Sequence, residues 1–456
     1  MDIKGSGPVR LARIGLRGVR AFARSPRTFL DDAERYLSHR LNPSDGVAGS
    51  LDGLPSVVPI NFRVRAVNGP PRLNVLVPGM ALWAMSGGPN TALNLTFRLA
   101  REGVPLRYIS TDVAADPNEV LWAHFRQLTG IEKPLDNVEI VSAHDRTVAT
   151  EIGEDDVFFG TAWWTVQMIK HALGRMHPRR FIYLIQECEP GLYPWSSLYA
   201  LALETYGLDF RAVINESLLL EHLYEQGVGR FADRAFAEQC VVFEPAVDRS
   251  KFHPAPDRPR GRRLRLLFYA RPNAPRNLYE LGLHALQDAV QRGAFPPEDW
   301  ELRSIGEKLA PVALSSTSVV EPERWLDYDG YARLLRSSDV GLALMLSPHT
   351  GYPALEMAAS GMSVITTTFS TKTAQRLKAI SANIIAANPT VESIADALLE
   401  AYARTPNLDW REEASRVELP ASWEEALGPI VPRVLRMVEE CRGSSPFGNV
   451  SVATRA

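Results

Sequence analysis

From residue 73 onward, short apolar runs alternate with stretches of helical periodicity. Residues 73–78, L-N-V-L-V-P, form a β-rich run followed by Gly79 and a Gly87-Gly88-Pro89 turn. Residues 91–101 then repeat apolar positions at helical spacing, and 106–109 read as a second strand. Strand, glycine turn, helix and strand make one βαβ unit. Further strands are predicted at 138–140, 157–159, 181–185, 212–214 and 241–243, with helical stretches between several of them. This alternation implies a parallel sheet covered by helices.

The proline-rich, charged stretch P-A-P-D-R-P-R-G-R-R, residues 254–263, is the clearest linker in the chain. Beyond it the alternation restarts, with strands at 264–269, 301–305, 340–346 and 363–367 and helices at 278–292, 330–336 and 353–360. Residues 423–441 are helical and amphipathic but have no strand to accompany them, so they must pack on something already built, and a bracing role between the domains is expected. The expected division is a helical extension over 1–60, one Rossmann-like domain over 61–253, a hinge over 254–263 and a second such domain over 264–415. A C-terminal helix over 416–443 and a disordered tail over 444–456 complete it.

The first 60 residues are different: basic, and broken by Gly and Pro. Arg10, Arg13, Arg17, Arg20 and Arg24 fall three and four apart, one narrow stripe on a helix, with Leu11, Leu16, Val19 and Phe22 off it. Ser25-Pro26 then reads as a cap and first position of a second helix through about Leu37. Three readings of the stripe stay open: peripheral contact of residues 10–24 with anionic lipid, a solvated helix face, or a transit peptide.

Composition changes this picture little. With 456 residues, 45% hydrophobic and 23% charged, the chain can bury more than one core. A net charge of −3 argues against a chain-wide nucleic-acid binder. Cys188, Cys240 and Cys441 are sparse, odd in number and far apart, which suits buried thiols in a reducing compartment rather than disulfides or a zinc site. Apolar runs are strand-sized and no signal-peptide core stands near Met1, so a cytoplasmic protein, or one at the inner membrane face, is expected.

Five segments together carry a family resemblance: V-P-G…S-G-G-P-N (77–90), Q-E-C-E-P-G-L-Y-P-W-S (186–196), F-E-P-A-V-D-R-S-K-F-H-P (243–254), F-Y-A-R-P (268–272) and S-D-V-G-L-A-L-M-L-S-P-H-T-G-Y-P-A-L-E-M-A-A-S-G (338–361). Over roughly residues 61–404 the chain resembles the retaining GT-B glycosyltransferases of the glycosyltransferase-4 group. Within that group it looks most like bacterial rhamnosyltransferases that use dTDP-L-rhamnose. The resemblance implies an α/β, GT-B fold: two Rossmann-like domains facing across a cleft, the first for a glycan acceptor, lipid-linked or free, and the second for a nucleotide-sugar donor. It implies retention of configuration, with the leaving phosphate taking the acceptor proton; separately, no metal or cofactor is expected. The N-terminal extension has no counterpart in it. The nearest alternatives are another GT-B enzyme, such as an epimerase or a transferase using a UDP- or GDP-sugar, and a catalytically silent glycan-binding scaffold.

The residues themselves are suited to that chemistry. Pro353 opens a helix whose first turn carries unpaired N–H groups and the positive dipole end, and Gly351 lets a phosphate approach the backbone. His349, Gly351, Tyr352, Pro353, Glu356 and Tyr328 are the candidate donor-binding residues. The resemblance assigns Glu356 to the ribose, and it places a second glutamate, contacting the transferred sugar, where this chain has Pro348. Arg271 and Lys308 each follow a strand and could stabilise a leaving diphosphate, so they are the candidate catalytic cations, with Arg276 a further one. Gly87, Gly88, Glu187 and Glu189 are the candidate acceptor-side residues. Trp163 and Trp164 suit sugar stacking or core packing. D-Y-D at 327–329 imitates a metal motif, but Asp329 is expected to cap the next helix instead. N-E-S (215–217) and G-E-D-D (153–156) are likewise read as caps and turns.

Overall fold

The structure is a computed structural model and describes residues 57–85, 87–255, 262–406 and 408–443. The chain divides into two compact units between Val58 and Pro59, and the sheets among the described residues lie in the second. The arginine stripe, the helix expected after Ser25-Pro26, most of the 254–263 linker and the tail from residue 444 fall outside the described residues.

The first α/β half begins with β1 (Phe62–Arg65), β2 (Leu73–Val77), α1 (Gly88–Arg101), β3 (Leu106–Ser110), α2 (Asn118–Thr129) and β4 (Val138–Ser142). It continues with β5 (Thr150–Gly153), β6 (Val157–Gly160), α3 (Trp163–Leu173), β7 (Phe181–Ile185), α4 (Ser197–Thr205), β8 (Phe210–Asn215), α5 (Ser217–Glu225), α6 (Arg234–Gln239) and β9 (Val241–Phe243). Seven of these strands form one parallel sheet in the order β4-β3-β2-β6-β7-β8-β9. Every residue of β2, β3, β6 and β7 is buried, because helices cover both faces of the sheet. The strands β1 and β5 pair separately as a small ribbon that the apolar pattern did not announce, since F-R-V-R exposes its arginines.

The second half holds β10 (Leu264–Ala270), α7 (Tyr279–Gln291), β11 (Trp300–Gly306), β12 (Val312–Ala313), β13 (Val319–Pro322), α8 (Tyr328–Arg336), β14 (Val340–Leu342) and α9 (Tyr352–Ala359). Then come β15 (Ser363–Thr367), α10 (Ala374–Ile380), β16 (Ile384–Ala387), α11 (Val391–Arg404) and α12 (Leu408–Glu413). Its sheet runs β12-β13-β11-β10-β14-β15-β16, parallel except for the edge strand β12. The strand expected over 340–346 ends at Leu342. Beyond that point the Thr367 hydroxyl intervenes, accepting the Met345 N–H at 3.0 Å and donating to the Met345 carbonyl at 2.9 Å, and the chain peels away toward α9. Within their parallel strands, both sheets reverse strand order, between β2 and β6 and between β10 and β14, and ligands of such sheets bind beyond the strand ends at those reversals.

The C-terminal segment returns to the first half as α13 (Trp423–Leu427) and α14 (Val431–Cys441). Val431, Val434, Met437, Val438 and Cys441 form one buried stripe of α14, packed into the core that also holds Leu73, Val75 and Leu95. Each of its valine and methionine side chains contributes about 1.5–3 kcal/mol on burial. The Arg211–Glu440 ion pair at 2.8 Å and the Arg442 bond to the Pro71 carbonyl hold the helix in place. On the way back, Pro420 O accepts from Val247 N and Trp423 lies against Tyr352, so the segment touches both halves. All three cysteines are free thiols, and no helix among the described residues is long and apolar enough to cross a membrane.

Candidate functional site

The carboxyl ends of the two sheets face one another, and polar side chains bind across the gap. From the first half, Glu187 follows β7 and Glu216 follows β8. From the second, the loop of residues 343–351 leaves β14 and leads into α9. The Ser347 hydroxyl donates to Glu187 Oε1 at 2.5 Å, and the Arg276 Nε stands 3.5 Å from Glu187 Oε2. Glu216 accepts from both the Thr350 N–H (2.8 Å) and the Thr350 hydroxyl (2.6 Å). Alongside, His222 meets Ser370 at 2.8 Å, Arg376 pairs with Glu221 at 2.8 Å, and Asn215 lies 3.4 Å from the Tyr352 hydroxyl.

The loop itself is fixed from beneath by Lys372, which is fully buried. Its Nζ donates to the carbonyls of Met345 (2.8 Å) and His349 (3.2 Å). Burial pulls this ammonium down to about 8, opposed by the carboxylates of Glu187 and Glu216. Burial pushes Glu216 up to about 7, opposed by the Thr350 donors and by Lys372. The His349 Nδ1 accepts the Gly351 N–H at 3.0 Å, so its proton sits on Nε2, which has no hydrogen-bond partner among the described residues. Burial depresses the imidazole to about 4 and keeps it neutral. Gly351, at φ 81°, occupies a left-handed conformation where a Cβ would also meet the Met345 sulfur at 2.8 Å, so the turn into α9 requires glycine.

Of the predicted donor residues, His349, Gly351, Tyr352, Pro353 and Glu356 lie on this loop and the helix it opens. Glu356 accepts the Tyr331 hydroxyl at 3.0 Å, and burial pushes its carboxyl up to about 7. Tyr328 keeps part of its surface exposed and packs edge-on against Phe252, and burial, then the nearby Glu356 carboxylate, push its phenol up. Arg271 follows β10 and pairs at 3.5 Å with Glu307, while Lys308 is exposed one residue further along that same loop. Arg276, the further candidate, faces the donor loop beside Glu187, and its carbonyl accepts the Leu346 N–H at 2.7 Å. On the other side, Gly88 accepts from the Gln186 amide at 3.1 Å, which ties the Gly87-Gly88 turn to the Glu187 loop. Glu187 points at the donor loop. Glu189 is only 8% exposed; it accepts the Tyr183 hydroxyl at 2.5 Å, and burial pushes it up to about 8. That places its carboxyl inside the domain rather than in the gap.

Several local readings change. Asp327, not Asp329, caps α8 through the Gly330 N–H at 2.7 Å, while Asp329 pairs with Lys251 at 2.5 Å. Glu216 makes no cap bond to α5, because its carboxylate is spent on Thr350. Asp156 does hold a turn, accepting from Arg72 N, Asn74 and Gly153 N. Trp163 is core, and Trp164 donates to Asp112 at 3.0 Å. Glu216, Ser347, Thr350 and Lys372 were not anticipated. Their partners are distant along the chain, and only the strand ends on which Glu216 and the loop sit were available as a signal.

Residues 72–216 match the family model described as WsaF, N-terminal domain, and residues 264–399 that of the WsaF C-terminal domain. The O-antigen biosynthesis protein RfbC of Myxococcus xanthus is 31% identical over 278 residues, 58% of this chain. The chain spans only about 20% of that relative's length. A glycosyltransferase from Rickettsia africae ESF-5 superposes over 83% of this chain and 100% of its own, with TM-score 0.51 and 13% identity. Sucrose-phosphate synthase from Thermosynechococcus elongatus covers 82% and 100%, with TM-score 0.57 and 11% identity. Anabaena HepE, solved with UDP and glucose, covers 81% and 99%, with TM-score 0.54 and 12% identity. At these identities the structural likeness shows the fold. With the two WsaF domains falling in order on its two halves, the chain belongs with the GT-B glycosyltransferases.

Proposed function

We propose that the chain transfers a sugar, L-rhamnose from dTDP-L-rhamnose, with retention onto a glycan acceptor during cell-surface polysaccharide synthesis. The observation that carries this reading is the polar loop from β14 to the glycine-capped start of α9, pressed against carboxylates from the facing half. The diphosphate lies at the first turn of α9, with Glu356 on the ribose hydroxyls and Arg271, Arg276 and Lys308 countering the charge that grows as the phosphate leaves. The C1–O bond to the β-phosphate breaks while the acceptor oxygen bonds C1 on the same face. The acceptor proton passes to the departing phosphate oxygen, so no protein base, metal or cofactor is assigned. Gly87 and Gly88 border the acceptor side. Closure of the two halves excludes water, which would otherwise hydrolyse the donor. The relatives support the reading: RfbC is named for O-antigen biosynthesis, and HepE was solved with UDP and glucose. The departure from the family pattern at Pro348 suits a donor with an unusual hydroxyl pattern, such as a deoxysugar.

The test is nucleotide release from dTDP-, UDP- and GDP-sugars in the presence of glycan acceptors, with the anomeric configuration of the product read by NMR. Acceptor-dependent release of dTDP with a retained linkage supports the proposal. Glycan binding without turnover of any donor would favour a silent scaffold, and inversion would remove the retaining mechanism.

A further inference from the structure

Three polar groups beside the donor loop are incompletely satisfied, and they come from both halves of the protein. Glu187 Oε1 is occupied by the Ser347 hydroxyl and by the Cys188 N–H at 3.0 Å, whereas the one contact shown for Oε2 among the described residues is the Arg276 Nε at 3.5 Å. The Arg276 Nε and the His349 Nε2 are buried and make no hydrogen bond among the described residues. His349 is 5% exposed, so water cannot substitute freely for a missing partner. Ser347 ties the groups together, because the hydroxyl that donates to Glu187 also accepts the His349 N–H at 3.0 Å.

The chemistry of that cluster selects its ligand. A carboxylate acceptor beside an imidazole N–H donor matches a group that can both donate and accept, which a hydroxyl does and a phosphate oxygen does not. A phosphate placed here would also lie against the Glu187 carboxylate, an acceptor to which it has no hydrogen to offer. We propose that Glu187 of the first half and His349 of the second together bind a hydroxyl of the transferred sugar, so that the sugar-reading site is complete only when the halves are closed on each other. This rests on the donor reading above, and it moves Glu187 from the acceptor side of the gap to the donor sugar. The sugar hydroxyl donates to Glu187 Oε2 and accepts from His349 Nε2, while Arg276 lies between this point and the diphosphate. Lys372 and Glu216 are positioning residues, because they fix the carbonyl and amide of the loop that carries His349.

Two variants separate the sugar from the nucleotide. Glu187→Gln keeps an oxygen for Ser347 but loses the charge. His349→Asn keeps an acceptor near the Gly351 N–H and lacks the Nε2 donor. Calorimetric affinities of dTDP and of dTDP-L-rhamnose are measured on wild type and both variants, with melting temperatures to establish folding. The expected result is dTDP affinity within about twofold of wild type in each variant, with dTDP-L-rhamnose weakened about tenfold, the scale of a lost charged hydrogen bond. Unchanged affinity for dTDP-L-rhamnose in both folded variants would overturn the proposal, as would an equal loss of dTDP itself, which would put these residues at the diphosphate. A wild type that binds neither compound refutes the donor reading and this proposal with it.

Discussion

Replacing Lys372 with methionine is the sharpest perturbation of the donor loop. The side chain is fully buried, and methionine nearly matches its length while removing the charge and both donors. The loss takes this donor from the His349 carbonyl and one of two donors from the Met345 carbonyl, which keeps the Thr367 hydroxyl, and it leaves Glu187 and Glu216 without the nearby cation. Removing one partner of a buried charge arrangement costs about 3–5 kcal/mol. For a domain of this size that lowers the melting temperature by roughly 6–20 °C. The control is Lys378→Met on the exposed face of α10, expected to change stability by less than about 0.5 kcal/mol. Adding Glu216→Gln to Lys372→Met restores part of the loss, because it removes one of the uncompensated charges. Scanning fluorimetry or circular dichroism melts of the four proteins decide the matter. Lys372→Met melting within about 2 °C of the control would refute the claim that this lysine holds the loop.

Three further outcomes follow from the same geometry. Thr350→Val strips the hydroxyl from Glu216 at constant shape and costs about 1.5–3 kcal/mol in thermal melts, whereas Thr350→Ser stays close to wild type. Glu356, pushed up to about 7, binds a proton in the folded chain at pH values where the unfolded chain has released it. Its contribution is therefore fully present below about pH 4.5 and lost as pH rises through about 7. The melting temperature of unliganded wild type should accordingly fall relative to Glu356→Gln between pH 5 and pH 8, and parallel profiles would contradict this. Deleting residues 1–28 should reduce co-sedimentation with anionic vesicles, since five arginines at helical spacing lie in that stretch, and unchanged binding would sink the lipid reading.

Much of the architecture was legible because parallel sheets buried on both faces write nearly continuous apolar strands, as at residues 73–77 and 181–185. The amphipathic stripe of α14 was legible too. Its place against Leu73 and Val75 was not, since a stripe states that a helix packs but not on what. Ribbon β1–β5 escaped because its arginines interrupt the pattern, and β14 stopped early because a threonine side chain, invisible to periodicity, took the backbone's bonds. In the site, the helix start at Pro353 and the glycine before it could be read locally. The pairs Glu187–Ser347 and Glu216–Thr350 join residues 160 and 134 positions apart, so no local signal marks them. Lys372 stands in an S-T-K-T stretch that reads as an ordinary surface loop, and only burial gives it a role.

The central claim is that a nucleoside diphosphate binds at the start of α9 with Glu356 on its ribose. The most direct test is a thermal-shift panel of dTDP, UDP, GDP and ADP on wild type and Glu356→Ala. A ligand that binds only the folded state must raise its melting temperature by mass action. The account predicts selective stabilisation of wild type by dTDP, lost in the variant. No shift with any nucleotide, or a dTDP shift that survives in Glu356→Ala, would contradict it.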